Sequence, residues 1–163
     1  MIHFTNTRRI GDLIVYTKGV FSTHFMVCVG FIGNVEMVAE NQPGCGVRIL
    51  PLKEALGNNK ILRTEPFKGT EIQRASVFAH AQQLVGTAYD LIKFNCEHFA
   101  RMISNGNIES MQVKNAAAVM GLVGVGFLAF AKNKKLKLAG VILLLLAFII
   151  SATQSSSVKA ATA

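Results

Sequence analysis

No acidic residue follows Glu109 in this 163-residue chain, and tryptophan is missing altogether. The first absence is the more telling. Six lysines, Lys114, Lys132, Lys134, Lys135, Lys137 and Lys159, stand beyond Glu109 with no carboxylate near them and flank apolar runs. A solvated globular surface mixes both signs, so this region does not read as a second soluble domain; unpaired lysines beside apolar runs suit anionic lipid headgroups. Of the 17 Lys+Arg, the other eleven lie before Glu109, as do eight of the nine Asp+Glu, Glu109 itself being the ninth, which leaves the first two thirds nearly neutral. With no basic stripe interleaved with aromatics, nucleic acid is excluded as a partner. Cysteines number only three, Cys28, Cys45 and Cys96, odd in count and without CxxC spacing. That excludes a disulfide framework and a zinc site, and no other motif implies a metal or cofactor. The first residues, MIHFTNTRRIGDL, lack the apolar core of a signal peptide, so the first domain is expected to stay cytosolic.

What is present divides the chain in two. Leu13 to Thr17, His24 to Gly30 and Val35 to Ala39 are β candidates separated by turn residues, and together suggest an antiparallel meander. Asn41 to Gly46 reads as a loop, Val47 to Leu50 as a short strand stopped by Pro51, and Ile61 to Thr64 as another. Thr70 with Gln73 forms a capping box, opening a helix whose stripe at helical spacing is Ile72, Ala75, Phe78, Ala79, Gln82 and Leu84, up to Gly86. Asn95 is placed to cap a second helix ending near Asn105 and Gly106. Strands followed by helices make an α+β plan. Beyond it lie two apolar stretches, Ala116 to Ala131 and Leu138 to Ala152, the second continuing uncharged to Ser157, with the lysine-rich Lys132 to Lys137 between them. If both crossed a bilayer, the lysines would lie opposite the first domain, against the positive-inside tendency. The expected organisation is therefore a catalytic domain over 1–110, an apolar and basic juxtamembrane segment over 111–137, a spanning helix or shallow hairpin completed by 138–157, and a tail over 158–163.

The stretch Lys93-Phe-Asn-Cys-Glu-His-Phe-Ala-Arg101 poses the chemical question. A cysteine just after an asparagine N-cap has its sulfur beside the unsatisfied amides and positive end of a helix, where a thiolate is stabilised. An isolated cysteine is more often a small buried hydrophobe. His24, however, heads the apolar strand HFMVCVG, where an imidazole fits poorly unless it faces a site. A histidine base on a strand and a cysteine at a helix start are the partners of a thiol hydrolase or acyltransferase. Glu36, twelve residues on and in the next strand, is the candidate to orient the ring, with an exposed edge-strand glutamate as the plain alternative. His98, two residues beyond Cys96, points away from the sulfur and is read as structural, as is Asn95; Glu97 is explained by the helix dipole.

Asn95-Cys-Glu-His-Phe99, preceded by GDLIVY at Gly11 to Tyr16 and by His24 opening HFMVCVG, resembles the lecithin:retinol acyltransferase family, in particular its phospholipase A and acyltransferase branch. The resemblance runs over most of residues 10 to 135. It implies a permuted papain-like, NlpC-type thiol hydrolase fold in which an antiparallel sheet carrying the histidine precedes the cysteine helix. It makes Cys96 the nucleophile and His24 the base. The family's usual third member is another histidine, at the spacing that Glu36 occupies here. The implied reaction is acyl transfer from a phospholipid ester through an acyl-thioester on Cys96, to water, an amine or a lyso-lipid. A thiol peptidase or amidase on the same fold, and a membrane-anchored interaction module whose cysteine is structural, are the competing readings. The expected partners are a phospholipid substrate and a membrane; the sequence carries no signal for oligomeric state.

Overall fold

The computed structural model describes residues 8–19, 22–105 and 111–161, which fall into two units, 1–107 and 108–163. In the first, β1 (Leu13–Lys18), β2 (Ser22–Ile32), β3 (Val35–Gln42), β4 (Gly46–Pro51) and β5 (Ile61–Glu65) form one antiparallel sheet in the order β4-β3-β2-β1-β5. A short helix, α1 (Leu52–Leu56), follows β4, while α2 (Glu71–Gln83) and α3 (Cys96–Asn105) follow β5.

Alternation along the strands gives the sheet two apolar faces, because successive side chains point to opposite sides. Leu13, Val15, Phe25, Val27 and Val29 pack with Val77 and Ala81 of α2 and with Phe99, Ala100 and Ile103 of α3. Ile14, Tyr16, Met26, Cys28 and Val38 face the other way, toward Leu52, Ala55 and Leu56 of α1. Fully buried Val and Leu side chains contribute about 1.5–3 kcal/mol each, so both layers fix the strand register firmly.

Thr70 and Gln73 form the reciprocal capping box that opens α2. The helix's buried face differs from the expected stripe: Val77 and Ala81 are buried, whereas Ile72 is 85% and Phe78 45% exposed. The sheet accepts one narrow stripe of this helix, and the larger side chains face outward. β3 also outruns expectation, since Glu40, Asn41 and Gln42 continue the ladder against Arg48, Val47 and Gly46.

Gly46 opens β4 at φ 71°, and a Cβ there would stand 2.4 Å from the Thr87 carbonyl oxygen. That carbonyl accepts the Val47 N–H at 2.9 Å, and Val47 in turn accepts from Gly86, so the chain leaving α2 is tied to the open end of β4. Only a residue without a side chain permits so close an approach.

The second unit is a pair of helices, α4 (Met111–Phe130) and α5 (Lys134–Ala161). They run antiparallel: a Cβ on Gly124 would meet the Gly140 carbonyl oxygen at 2.9 Å, and one on Gly121 would lie 3.9 Å from Ala147 Cβ. Small residues let the backbones approach, as in membrane helix pairs. Val113–Phe130 and Lys134–Thr153 are each long and apolar enough to cross a bilayer. Lys134, Lys135 and Lys137 form the start of α5 itself.

Candidate functional site

The site begins where two strands part. β2 and β3 pair from Ile32↔Val35 at the hairpin end down to Met26↔Glu40, and no farther. Below that point β2 continues on β1 through Phe25, His24 and Thr23, while β3 continues on β4 through Asn41 and Gln42. The N-terminus of α3 enters this opening.

A tight turn delivers it. Asp90 and Phe94 exchange backbone hydrogen bonds of 3.1 and 3.0 Å, and the Asp90 carboxylate accepts from the N–H groups of Ile92 and Lys93 at 2.9 and 2.8 Å. Those amide donors hold the Asp90 carboxyl below its usual range. Asn41, fully buried on β3, donates through Nδ2 to the Phe94 carbonyl at 2.7 Å, fastening the turn to the strand. Asn95 stands at the N-cap, its Oδ1 accepting from Glu97 and His98 N–H at 3.0 Å each, and its own N–H donates to His98 Nδ1 at 3.2 Å. His98 thus serves the cap from within the fold. Glu97 needs more than the helix dipole to explain it: 1% exposed, it accepts from Arg101 Nε at 2.9 Å.

Cys96, the first residue of α3, is 4% exposed. Burial pushes its thiol up, opposed by hydrogen bonds to the sulfur from the backbone amides of Phe25 and Glu97. Desolvation thus opposes the stabilisation of a thiolate that the helix terminus offers. Phe25 immediately follows His24, so the sulfur sits at the segment of β2 that carries the imidazole.

His24 is 3% exposed and belongs to a row of polar side chains, one from each of four adjacent strands: Tyr16, His24, Glu40 and Arg48. His24 Nε2 approaches Glu40 Oε2 to 2.9 Å, although its direction misses an aligned hydrogen bond. The Tyr16 hydroxyl lies 3.3 Å from the same oxygen, and its ring meets the imidazole edge-on at 5.3 Å between centroids. Burial, then the Glu40 charge, raises the Tyr16 phenol and keeps it a donor. Arg48 takes the other carboxylate oxygen with two hydrogen bonds, 2.9 Å from Nε and 2.6 Å from Nη2, the latter nitrogen also donating to Gln42 at 3.0 Å. Burial would raise the fully enclosed Glu40 carboxyl, but His24 and Arg48 together outweigh it and hold it below its ordinary value.

Glu36 is not the carboxylate beside His24. It pairs across the ladder with Phe31, seven residues up β2 from His24, which at about 3.4 Å per residue is some 24 Å away. Its two oxygens bind Arg8 Nε and Nη2 at 2.6 and 2.7 Å. The carboxylate beside His24 is Glu40.

The sequence model of the family described as Lecithin retinol acyltransferase matches residues 6–109. Phospholipase A and acyltransferase 3 of Mus musculus is 36% identical over 77 residues, covering 42% of this chain and 48% of that protein. Phospholipase A and acyltransferase 1 of Rattus norvegicus is 34% identical over 87 residues, covering 49% and 50% respectively. The chain thus spans about half the length of these curated relatives.

Proposed function

Because the chain belongs to the lecithin retinol acyltransferase family, we propose that it is a membrane-anchored thiol enzyme that transfers acyl groups from glycerophospholipid esters, as a phospholipase A when water is the acceptor and an acyltransferase when an amine or lyso-lipid is. The observation that carries this reading is the seat of Cys96 in the gap between β2 and β3, its sulfur on the Phe25 amide and His24 next in the chain.

Cys96 Sγ–H gives its proton to His24, and the sulfur attacks the ester carbonyl. With Nε2 turned to Glu40, Nδ1 is the ring nitrogen left for the thiol. The Cys96 amide, first of α3, donates to the oxyanion that develops, aided by the positive helix end. Collapse expels the lyso-lipid alkoxide, which takes the proton from the imidazolium and leaves an acyl-thioester. His24 then deprotonates the acceptor, which attacks that thioester and restores the thiol. Glu40 holds the ring and stabilises its charged form, the role the family usually gives to a histidine. The histidine strand precedes the cysteine helix, the order of a permuted papain-like enzyme. The apolar pair α4 and α5 holds the catalytic unit, on the cytosolic side, at the surface where diacyl lipids reside, raising their effective concentration.

The deep burial of Cys96 favours one rival, an interaction module with a structural cysteine. One experiment separates them. Full-length protein is incubated briefly with phosphatidylcholine in detergent micelles and analysed by mass spectrometry beside Cys96→Ala. An acyl-sized mass increase mapping to Cys96, absent in the variant, is expected. A folded protein with neither adduct nor released fatty acid would overturn the lipid reading, and cleavage of a peptide amide instead would make it a peptidase.

A further inference from the structure

The family's third position is ordinarily a histidine, a group that can orient the base without bringing a fixed charge. Here the group beside His24 is Glu40, a glutamate with no exposed surface. A lone buried carboxylate touching an imidazole would draw a proton onto the ring and hold it, and a base that is already protonated cannot accept a proton from a thiol. Something must hold this anion in check, and the structure supplies it one strand away. Arg48, the cross-strand partner of Glu40 on edge strand β4, saturates Oε1 with a forked pair of hydrogen bonds and leaves Oε2 to His24 and Tyr16.

We propose that Arg48 is a positioning residue that acts through Glu40: its fixed positive charge balances the buried carboxylate, so that Glu40 orients His24 without locking it as an imidazolium, and Cys96 keeps a working base. This inference rests on the assignment of His24 and Cys96 as base and nucleophile, and adds a residue that touches neither substrate nor sulfur.

The charged and titratable groups around the pair come from every neighbouring element. Tyr16 on β1 stays protonated, and Cys96 on α3 acts on that phenol. Lys18, at the end of β1, acts on the Cys96 sulfur. Glu54 on α1 and Cys45 in the turn before β4 act on Arg48 rather than on the carboxylate. Arg48 is therefore the only cation hydrogen-bonded to Glu40 among the described residues. Its side chain is 35% exposed, so solvent screens part of its effect, yet its two contacts with Glu40 are made on the buried side.

Removing a fixed positive charge makes every nearby proton harder to lose. Loss of Arg48 charge thus moves the acid limb of the site's pH dependence upward, whether the proton is retained by His24, Cys96 or Glu40. A charge at this range, partly screened, shifts the limb by about one pH unit.

The test uses full-length protein in detergent micelles, with Arg48→Gln and Arg48→Lys. Iodoacetamide labelling of Cys96, quantified by mass spectrometry from pH 5 to 10, reads the nucleophile and its base without any substrate; fatty acid release from phosphatidylcholine is followed over the same range. In Arg48→Gln both acid limbs are expected about one unit higher, with roughly tenfold slower reaction on the acid side and recovery at alkaline pH. Arg48→Lys, which keeps the charge and loses the fork, is expected to retain the wild-type limb. A loss equal at all pH values, or a Gln profile that overlays the wild type, would overturn the proposal. Equal limb shifts in the Lys and Gln variants would overturn it too, since the fork and not the charge would then matter. Labelling limbs that shift as expected while no lipid is cleaved by any form would sustain the role of Arg48 and defeat the lipid function separately.

Discussion

Replacing Glu40 by glutamine tests the site at its least solvated point. The change keeps the shape and removes the charge. In the transition state for thiol attack the imidazole gains a proton, and the carboxylate 2.9 Å from Nε2 stabilises it. Coulomb's law at that distance, with an effective dielectric near 20, gives about 6 kcal/mol as an upper figure. Arg48, 2.6 Å from the other oxygen, opposes part of this. Glutamine retains a polar oxygen that the ring can still meet, which lowers the loss further. A net 2–4 kcal/mol remains, roughly a 30- to 1,000-fold fall in kcat/KM. The assay is release of labelled fatty acid from phosphatidylcholine vesicles by full-length protein, with circular dichroism to verify folding. The control is Glu36→Gln, which breaks the Arg8 pair at the far end of the hairpin and should leave kcat/KM within about threefold of wild type. A folded Glu40→Gln enzyme with near-normal rate, or an inactive Glu36→Gln, would refute the assignment and return the orienting role to the position expected from sequence.

Other outcomes follow from the same geometry. On the proposed mechanism, His24→Ala removes the base of the buried Cys96 thiol, so iodoacetamide labelling of Cys96 should require a pH above the usual cysteine range; unchanged labelling at pH 7 would separate the two residues. Glu40 has a folded-state carboxyl held below its unfolded value, so its contribution to stability is complete above the unfolded value of about 4.3 and is lost as pH falls through the depressed one. Glu40→Gln should therefore flatten the acid side of a stability-against-pH curve measured by urea titration. Gly46→Ala sets a methyl 2.4 Å from the Thr87 oxygen at a positive φ and should destabilise the catalytic unit by about 2–4 kcal/mol in the same titration. Finally, Gly121→Cys with Ala147→Cys places two Cβ atoms about 3.9 Å apart, within disulfide range, so oxidation should leave α4 and α5 covalently joined after trypsin cuts the lysine-rich link. Two separate fragments on a non-reducing gel would contradict the paired helices.

The parts of the fold legible in the sequence are those with local causes. Thr70 and Gln73 cap α2, and Asn95 caps α3, because each motif completes itself within three residues. The meander was readable from alternation. Glu40 was not, for two physical reasons. The ladder slips at a bulge between Cys28 and Gly30, so counting from His24 across the hairpin misplaces the partner. β3 also persists through Asn41 and Gln42, polar residues that read as a loop but are held by β4 and by the Phe94 carbonyl. The outward turn of Ile72 and Phe78 in α2 belongs to the same class, because which helix face is buried is decided by the sheet it meets. Arg48 left no local trace, since its meaning exists only opposite Glu40.

The row from Tyr16 to Arg48 draws one residue from each of four strands, and the sulfur comes from a helix almost fifty residues farther along the chain. No fragment that lacks any of these strands contains the row. On the proposed mechanism, a nascent chain still emerging from the ribosome, or one clipped between β4 and α3, carries a cysteine with no machinery to activate it. Reactivity that appears only once the whole sheet has closed is then a safeguard written into strand order.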